Sequence, residues 1–213
     1  MKCDKQYMRL YAVTDRAWVG KQTLYEQVEA ALKGGVTCVQ LREKELSEEE
    51  FLAEAKEIKA LCSRYHVPFF INDNVDVAIK CQADGVHVGQ EDMKASDVRS
   101  KVGDQMIIGV SAHSVEEAVE AVKNGADCLG VGAMFATSTK ADASVLPKET
   151  LRAICEAVDV PVVAIGGIGE SNILELAGTG ADGVALVSAI FGAADIEAQC
   201  RKLRALSEEM VSR

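Results

Sequence analysis

Gln40, Arg42 and Lys44 stand two residues apart in the run Q-L-R-E-K. In extended chain, alternate side chains point the same way, so this spacing lets an amide and two cations converge on one anion. The bland alternative is a set of surface charges leading into the next helix. Further along, I-N-D supplies Asn72 and Asp73, and H-V-G-Q-E-D supplies Gln90 and Asp92. Carboxylates at neighbouring strand ends suit Mg2+, which takes one or two of them together with substrate phosphate oxygens. Either aspartate alone could instead cap the helix that follows it, and Asp76 and Glu91 lie close enough to be confused with them. G-V-S-A-H-S brings a hydroxyl at Ser111, while His113 and Ser114 read as the turn and cap of a helix. No G-x-S-x-G elbow supports a Ser–His nucleophile, and His87, inside a strand, reads as a satisfied core histidine. Thr137, Ser138, Thr139 and Lys140 fall in a polar stretch of about 13 residues, F-A-T-S-T-K-A-D-A-S-V-L-P. Loops that long commonly bind or cover a ligand, and hydroxyls with a cation suit a phosphate. In A-I-G-G-I, Gly166 and Gly167 let backbone amides approach a phosphate closely, and Ser188 in A-L-V-S-A-I can add a hydroxyl.

These groups need a scaffold that brings many strand ends to one place. Short β-branched runs occur at Leu10–Thr14, Cys38–Arg42, Pro68–Asn72, Gly85–Gly89, Ile107–Ser111, Cys128–Gly132, Pro161–Gly166 and Gly183–Val187. Helical patterns lie between them, at Thr23–Lys33, Ser47–Tyr65, Val75–Cys81, Ser96–Lys101, Val115–Asn124, Lys148–Ala157, Ser171–Gly178 and Ile196–Val211. The helix near Ser47 opens with S-E-E-E, a capping box. A small-residue turn leading into a strand recurs as K-G-G-V-T-C-V-Q-L, Q-A-D-G-V-H-V-G, N-G-A-D-C-L-G-V-G and T-G-A-D-G-V-A-L-V, at about every second unit. Recurrence of this kind points to a repetitive, closed architecture. An open doubly wound sheet would carry G-x-G-x-x-G after its first strand, where this chain has T-D-R-A-W. The expected fold is therefore α/β, a single (β/α)8 TIM-barrel domain spanning residues 1–213, with its site at the strands' C-terminal ends.

Bulk properties exclude other classes. The 213 residues carry a formal charge of −10, which opposes nucleic-acid binding but leaves local anion sites open. Seven cysteines without a C-x-x-C pair read as reduced, mostly buried thiols of a cytoplasmic protein. Met1 to Gln6 is polar, so no secretory signal is expected, and no apolar run is long enough to span a membrane.

The motifs Y-A-V-T-D, Q-L-R-E-K, I-N-D-N-V-D-V-A, D-G-V-H-V-G-Q-E-D, I-G-V-S-A-H-S, G-A-D-C-L-G-V-G, T-S-T-K, V-A-I-G-G-I and G-A-D-G-V-A-L-V-S-A-I, in this order, resemble the thiamine-phosphate synthase family from about Tyr11 to Ile190. The resemblance implies a transferase with two phosphorylated small-molecule substrates and Mg2+. It would join 4-amino-2-methyl-5-pyrimidinylmethyl diphosphate to 4-methyl-5-(2-phosphoethyl)thiazole, releasing pyrophosphate by ionisation of the C–O bond first. It further implies that Gln40, Arg42, Lys44, Asn72, Ser111 and Lys140 hold the pyrimidine diphosphate and that Asp73 and Asp92 ligate Mg2+. Thr137, Thr139, Gly167, Val187 and Ser188 would receive the thiazole phosphate. Arg42, Lys44, Ser111 and Lys140 are the residues it places nearest the chemistry. The chain departs from the family pattern at Ala133 and Ala136, where similar sequences usually have proline, which should loosen the flap. A thiazole tautomerase of the same barrel type would need no diphosphate clamp or metal pair, and a non-catalytic phosphate sensor would need no turnover. A homo-oligomer is left open, and so is the place of Trp18, between lid packing and simple surface burial.

Overall fold

The structure, a computed structural model, describes residues 3–90, 92–137 and 144–213. Eight parallel strands close into a barrel in chain order: β1 (Leu10–Val13), β2 (Cys38–Leu41), β3 (Phe69–Asn72), β4 (Gly85–Val88), β5 (Ile107–Ala112), β6 (Cys128–Val131), β7 (Val162–Ile165) and β8 (Gly183–Leu186). The barrel closes where Tyr11 of β1 pairs with Ala185 of β8. Helices α1 (Leu24–Lys33), α2 (Glu48–Arg64), α3 (Val75–Lys80), α4 (Ala95–Val102), α5 (Val115–Lys123), α6 (Lys148–Ala157), α7 (Ser188–Phe191) and α8 (Ile196–Ser212) complete the layer outside it. The expected (β/α)8 barrel is what forms.

Two apolar clusters follow from the strands' period of two. One face of each strand packs against the helices, with Leu10, Val39, Ile71, Val86 and Leu129 in the larger cluster. The other face fills the barrel interior with Tyr11, Cys38, Phe70, Ile107, Cys128, Val163 and Ala185. Gly85 makes room for Phe70, whose ring would lie 2.4 Å from a Cβ at that position. The seven cysteines are free thiols, five of them buried, as expected of mostly buried thiols. No helix among the described residues is long and apolar enough to cross a membrane.

The recurring small-residue turn has a structural cause. Gly35, Gly125 and Gly180 stand three residues before β2, β6 and β8 with φ of 95°, 99° and 87°, a left-handed turn that glycine enters without strain. Gln82 takes the same turn before β4 with φ 54°. The residue just before each of these strands then latches onto the start of the preceding strand. Thr37 Oγ1 accepts from the amide of Leu10 at 2.8 Å, and Asp84 Oδ2 from that of Phe69 at 2.8 Å. Asp127 Oδ2 accepts from Ile108 at 2.9 Å, and Asp182 Oδ2 from Val162 at 3.0 Å. The strands are thereby stapled in pairs at the barrel's floor, which is why the motif recurs at every second unit. Lys59, Arg99 and Lys5 neutralise the three aspartates.

Capping boxes start two helices. Ser47 Oγ accepts from the amide of Glu50, and Glu50 Oε2 accepts from the amide of Ser47, as S-E-E-E predicts; Thr23 and Glu26 do the same for α1. One expectation fails. The Ser171–Gly178 segment is not an α-helix but a single 3₁₀ turn at Ile173–Leu176, and a short helix not foreseen, α7, follows β8. Gly178 takes φ 73° and ends the segment before a full helical turn repeats.

Candidate active site

The C-terminal ends of β2 to β5 gather charge. Gln40 points into the barrel and donates through Nε2 to the Tyr11 hydroxyl at 2.9 Å. β2 ends at Leu41, so Arg42 and Lys44 are placed by the turn that follows rather than by strand alternation. The Arg42 amide donates to Thr14 Oγ1 at 3.0 Å, and its Nη1 donates to Asp15 Oδ2 at 3.2 Å. Lys44 Nζ reaches Asp73 Oδ2 at 2.5 Å. Between these two cations Glu43 turns inward, where its side chain is only 2% exposed and is gripped by the Arg16 guanidinium, which also binds Glu54.

Neither candidate metal-binding aspartate caps a helix. Asn74 caps α3, its Oδ1 accepting from the amide of Val77 at 2.9 Å. Asp73 precedes it with φ 59°, donates its amide to the His87 carbonyl at 2.8 Å, and receives Asn72 Nδ2 on Oδ1 at 3.1 Å. α4 has Lys94 at its N-cap and no side-chain cap, while Asp92 Oδ2 accepts from the amide of Gly89 at 2.7 Å and closes the turn. The two carboxyl groups lie close enough to interact. Burial pushes the Asp73 carboxyl up, Lys44 draws it back down, and neighbouring Asp92 pushes it up again. The Asn72 Oδ1 atom is buried beside them with no partner among the described residues. Asp76 lies apart, exposed and paired with Lys101 at 3.5 Å, and Glu91 is outside the described residues.

Ser111 meets a histidine, but not the one nearest in sequence. Its Oγ lies 3.0 Å from His87 Nε2, and its carbonyl accepts from Gln90 Nε2 at 2.6 Å. His113 instead turns to Glu117 at the start of α5, in the structural role expected of it. His87 stands between Gly109 and Gly130, where added Cβ atoms would fall 2.5 Å and 3.2 Å from its ring. It is less satisfied than expected, because the buried Nδ1 has no partner among the described residues. With no carboxylate on Nδ1, the pair lacks the orienting group of a hydrolytic triad.

Burial drives the His87 imidazole down to about 4 from its ordinary 6.5, opposed by Asp92. The unfolded chain takes up this proton near pH 6.5 and the folded chain does not, so the neutral ring's contribution is complete above pH 6.5. It is expected to fade as pH falls toward 4, by up to about 3 kcal/mol. Urea unfolding midpoints at pH 7.5 and pH 5.0 measure this, and His87→Asn should flatten the difference; an unchanged slope in that variant would refute the assignment.

Across the barrel mouth, β7 and β8 present backbone instead of charge. Gly166 and Gly167 have φ of 96° and 65°. Asn172, not foreseen from sequence, holds this loop by donating to the Gly167 carbonyl at 2.9 Å and accepting from the amide of Gly169 at 2.8 Å. The amides of Gly167, Ser188 and Ala189 make no hydrogen bond among the described residues. Val187 precedes α7, with Ser188 as its first residue. The loop after β6 is tied to the same edge, Met134 donating to the Ile165 carbonyl and Phe135 to that of Gly166. Ala133 is buried there, Ala136 is exposed, and the Gly132–Ala133 peptide is cis. Thr137 is partly buried at the end of this stretch; Ser138, Thr139 and Lys140 lie outside the described residues. Trp18 packs on Gly192 at the end of α7, its Cζ3 3.0 Å from where a Cβ would stand.

The family model for thiamine monophosphate synthase matches residues 10–190. The chain belongs to the thiamine monophosphate synthase family. It is 46% identical over 200 residues to the thiamine-phosphate synthase of Clostridium tetani, covering 94% of this chain and 96% of that one. To the thiamine-phosphate synthase of Ruminiclostridium cellulolyticum it is 50% identical over 194 residues, 91% and 92% of the two chains. Among solved structures, thiamine phosphate pyrophosphorylase from Pyrococcus furiosus superposes with a TM-score of 0.89 at 42% identity, covering 97% of this chain and 98% of that one. The chain is thus an enzyme of a transferase family, as its motifs imply. Thr14, Asp15 and Arg16, the polar residues of Y-A-V-T-D and the arginine after them, carry no role expected from the sequence, where T-D-R only marks the lack of a nucleotide loop. Their position at the end of β1, on the barrel's functional face, was the available signal.

Proposed function

We propose that this enzyme condenses 4-amino-2-methyl-5-pyrimidinylmethyl diphosphate with 4-methyl-5-(2-phosphoethyl)thiazole to give thiamine phosphate and pyrophosphate. The observation that carries the reading is the division of the barrel mouth into two unlike halves. On one side stand Asp73, paired with Lys44, and neighbouring Asp92, both free of helix-capping duty. On the other stand the amides of Gly167, Ser188 and Ala189, which make no hydrogen bond among the described residues.

The donor set fits Mg2+. Two neighbouring carboxylates suit an ion which keeps substrate phosphate oxygens and water in its remaining positions. Asp73 and Asp92 would hold it, and when bound it supplies positive charge against the departing diphosphate. Arg42 and Lys44 do the same from the protein side, with Lys140 assigned to that role by the family motif. Gln40, Asn72 and Ser111 are assigned with them to hold the pyrimidine diphosphate. Thr137, Thr139, Gly167, Val187 and Ser188 are assigned to the thiazole phosphate, which only anchors its substrate.

The thiazole nitrogen is already a nucleophile, so the reaction requires no protein base. Burial, which pushes the His87 imidazole down to about 4, leaves it a weak base, and that agrees with this requirement. The deciding measurement is pyrophosphate release with both substrates, with Mg2+ and with a chelator. Release that needs both substrates and Mg2+ is expected, and none under any condition would defeat the proposal.

A further inference from the structure

We infer that Asp15 is a positioning residue that aims Arg42 at the diphosphate; this rests on the function proposed above. Three consecutive residues after β1 each engage the end of β2. Thr14 Oγ1 accepts from the Arg42 amide, Asp15 Oδ2 accepts from Arg42 Nη1, and Arg16 grips Glu43 through Nε and Nη2. The Arg42 amide and the Glu43 side chain are therefore both tied to the loop after β1, and the remaining freedom of Arg42 lies in its side chain.

Asp15 is itself held. Its Oδ1 accepts from the amide of Ala17 at 2.9 Å, capping a short turn at Arg16–Trp18, which leaves Oδ2 for the guanidinium. Only Nη1 of Arg42 is used, and its Nε and Nη2 have no partner among the described residues. A guanidinium held by one edge keeps its other donors in a fixed fork, the geometry that binds phosphate oxygens in pairs. The Arg42 side chain is 30% exposed, so without Asp15 it would sample several rotamers facing solvent.

Asp15 also has an opposing effect, because its charge partly cancels that of Arg42. Orientation and charge predict opposite signs for one substitution. Asp15→Asn keeps the acceptor that caps Ala17 but presents an amide nitrogen in place of Oδ2, so it separates the two effects without removing the turn. If orientation dominates, the variant loses affinity for the diphosphate; if charge cancellation dominates, it gains.

The test titrates inorganic pyrophosphate with Mg2+ by calorimetry and measures KM for each substrate. Asp15→Asn is expected to weaken pyrophosphate binding and raise KM for the pyrimidine diphosphate by about tenfold, the low end for a group that orients a ligand-binding side chain. KM for the thiazole phosphate should change by less than about twofold, because that half of the site is untouched. In an Arg42→Gln background, Asp15→Asn should add nothing further, since its effect passes through Arg42. Unchanged or tighter pyrophosphate binding would overturn the inference, as would an undiminished effect in the Arg42→Gln background. So would an equal rise in both KM values together with a lower melting temperature, which marks a merely structural role. A parent enzyme that makes no thiamine phosphate would instead overturn the functional proposal and this inference with it; an active parent with an indifferent Asp15→Asn overturns the inference alone.

Discussion

Asp73→Asn is expected to lower Mg2+-dependent pyrophosphate release by roughly 10³-fold, the scale seen when one preorganised group facing developing charge is removed. Asparagine is the informative substitution because Asp73 sits at φ 59°, a left-handed conformation that asparagine tolerates and bulkier residues resist. The amide that donates to the His87 carbonyl is kept. What disappears is the negative charge opposite Asp92 and the partner of Lys44. The fold should survive, since the change removes like-charge repulsion in a partly buried place and no helix cap depends on Asp73. Circular dichroism and a melting curve check the fold, and a Mg2+ titration of the rate checks the role. Asp76→Asn is the control, because Asp76 is exposed and paired with Lys101 away from the mouth. A fully active, Mg2+-dependent Asp73→Asn enzyme would sink the metal assignment.

Gly167→Ala should damage the opposite half of the site. With φ at 65° the new side chain is strained by backbone conformation alone. Its Cβ would also fall 2.4 Å from the Ala136 carbonyl oxygen and 2.7 Å from that of Phe135, so two stretches of backbone must separate. Such strain costs about 1–3 kcal/mol. Relief by loop displacement moves the Gly167 amide away from the anchored phosphate. KM for the thiazole phosphate is expected to rise at least about tenfold, with a smaller change for the pyrimidine diphosphate. Gly169→Ala is the matched control, because its Cβ would meet only the Ala189 Cβ at 4.0 Å. Steady-state kinetics on both variants decides the matter; equal behaviour would show that the β7 loop does not grip this substrate.

Much of the fold was legible because its signals are local. Strands buried on both faces read as short apolar runs, and every expected strand formed, with shifts of a residue or so at the ends. Ser47 and Glu50 interact within one helical turn, so their pattern needed no tertiary knowledge. The segment before β8 misled because its apolar spacing imitates a helix, while Gly178 stops it after one 3₁₀ turn. Asp73 and Asp92 were each ambiguous in sequence, since an aspartate just before a helix commonly caps it. Only the observed cap at Asn74 and the Gly89 turn released them for another role.

The sequence by itself determined the barrel, its family and most of the polar residues at the strand ends, because these depend on periodicity and on motifs read in order. Tertiary structure decided which of those residues meet. That Ser111 faces His87 rather than His113 depends on Ser111 and His87 sharing the barrel interior, 24 positions apart in the chain. That Asp15 holds Arg42 depends on β1 and β2 lying side by side, with 27 positions between the partners. Even the recurring G-A-D turn, plain as a repeat, acquired its reason only when each residue before an even-numbered strand was seen to latch the strand before it. Hydrogen bonds and charge pairs act over a few ångströms of space, and distance along the chain does not report that separation.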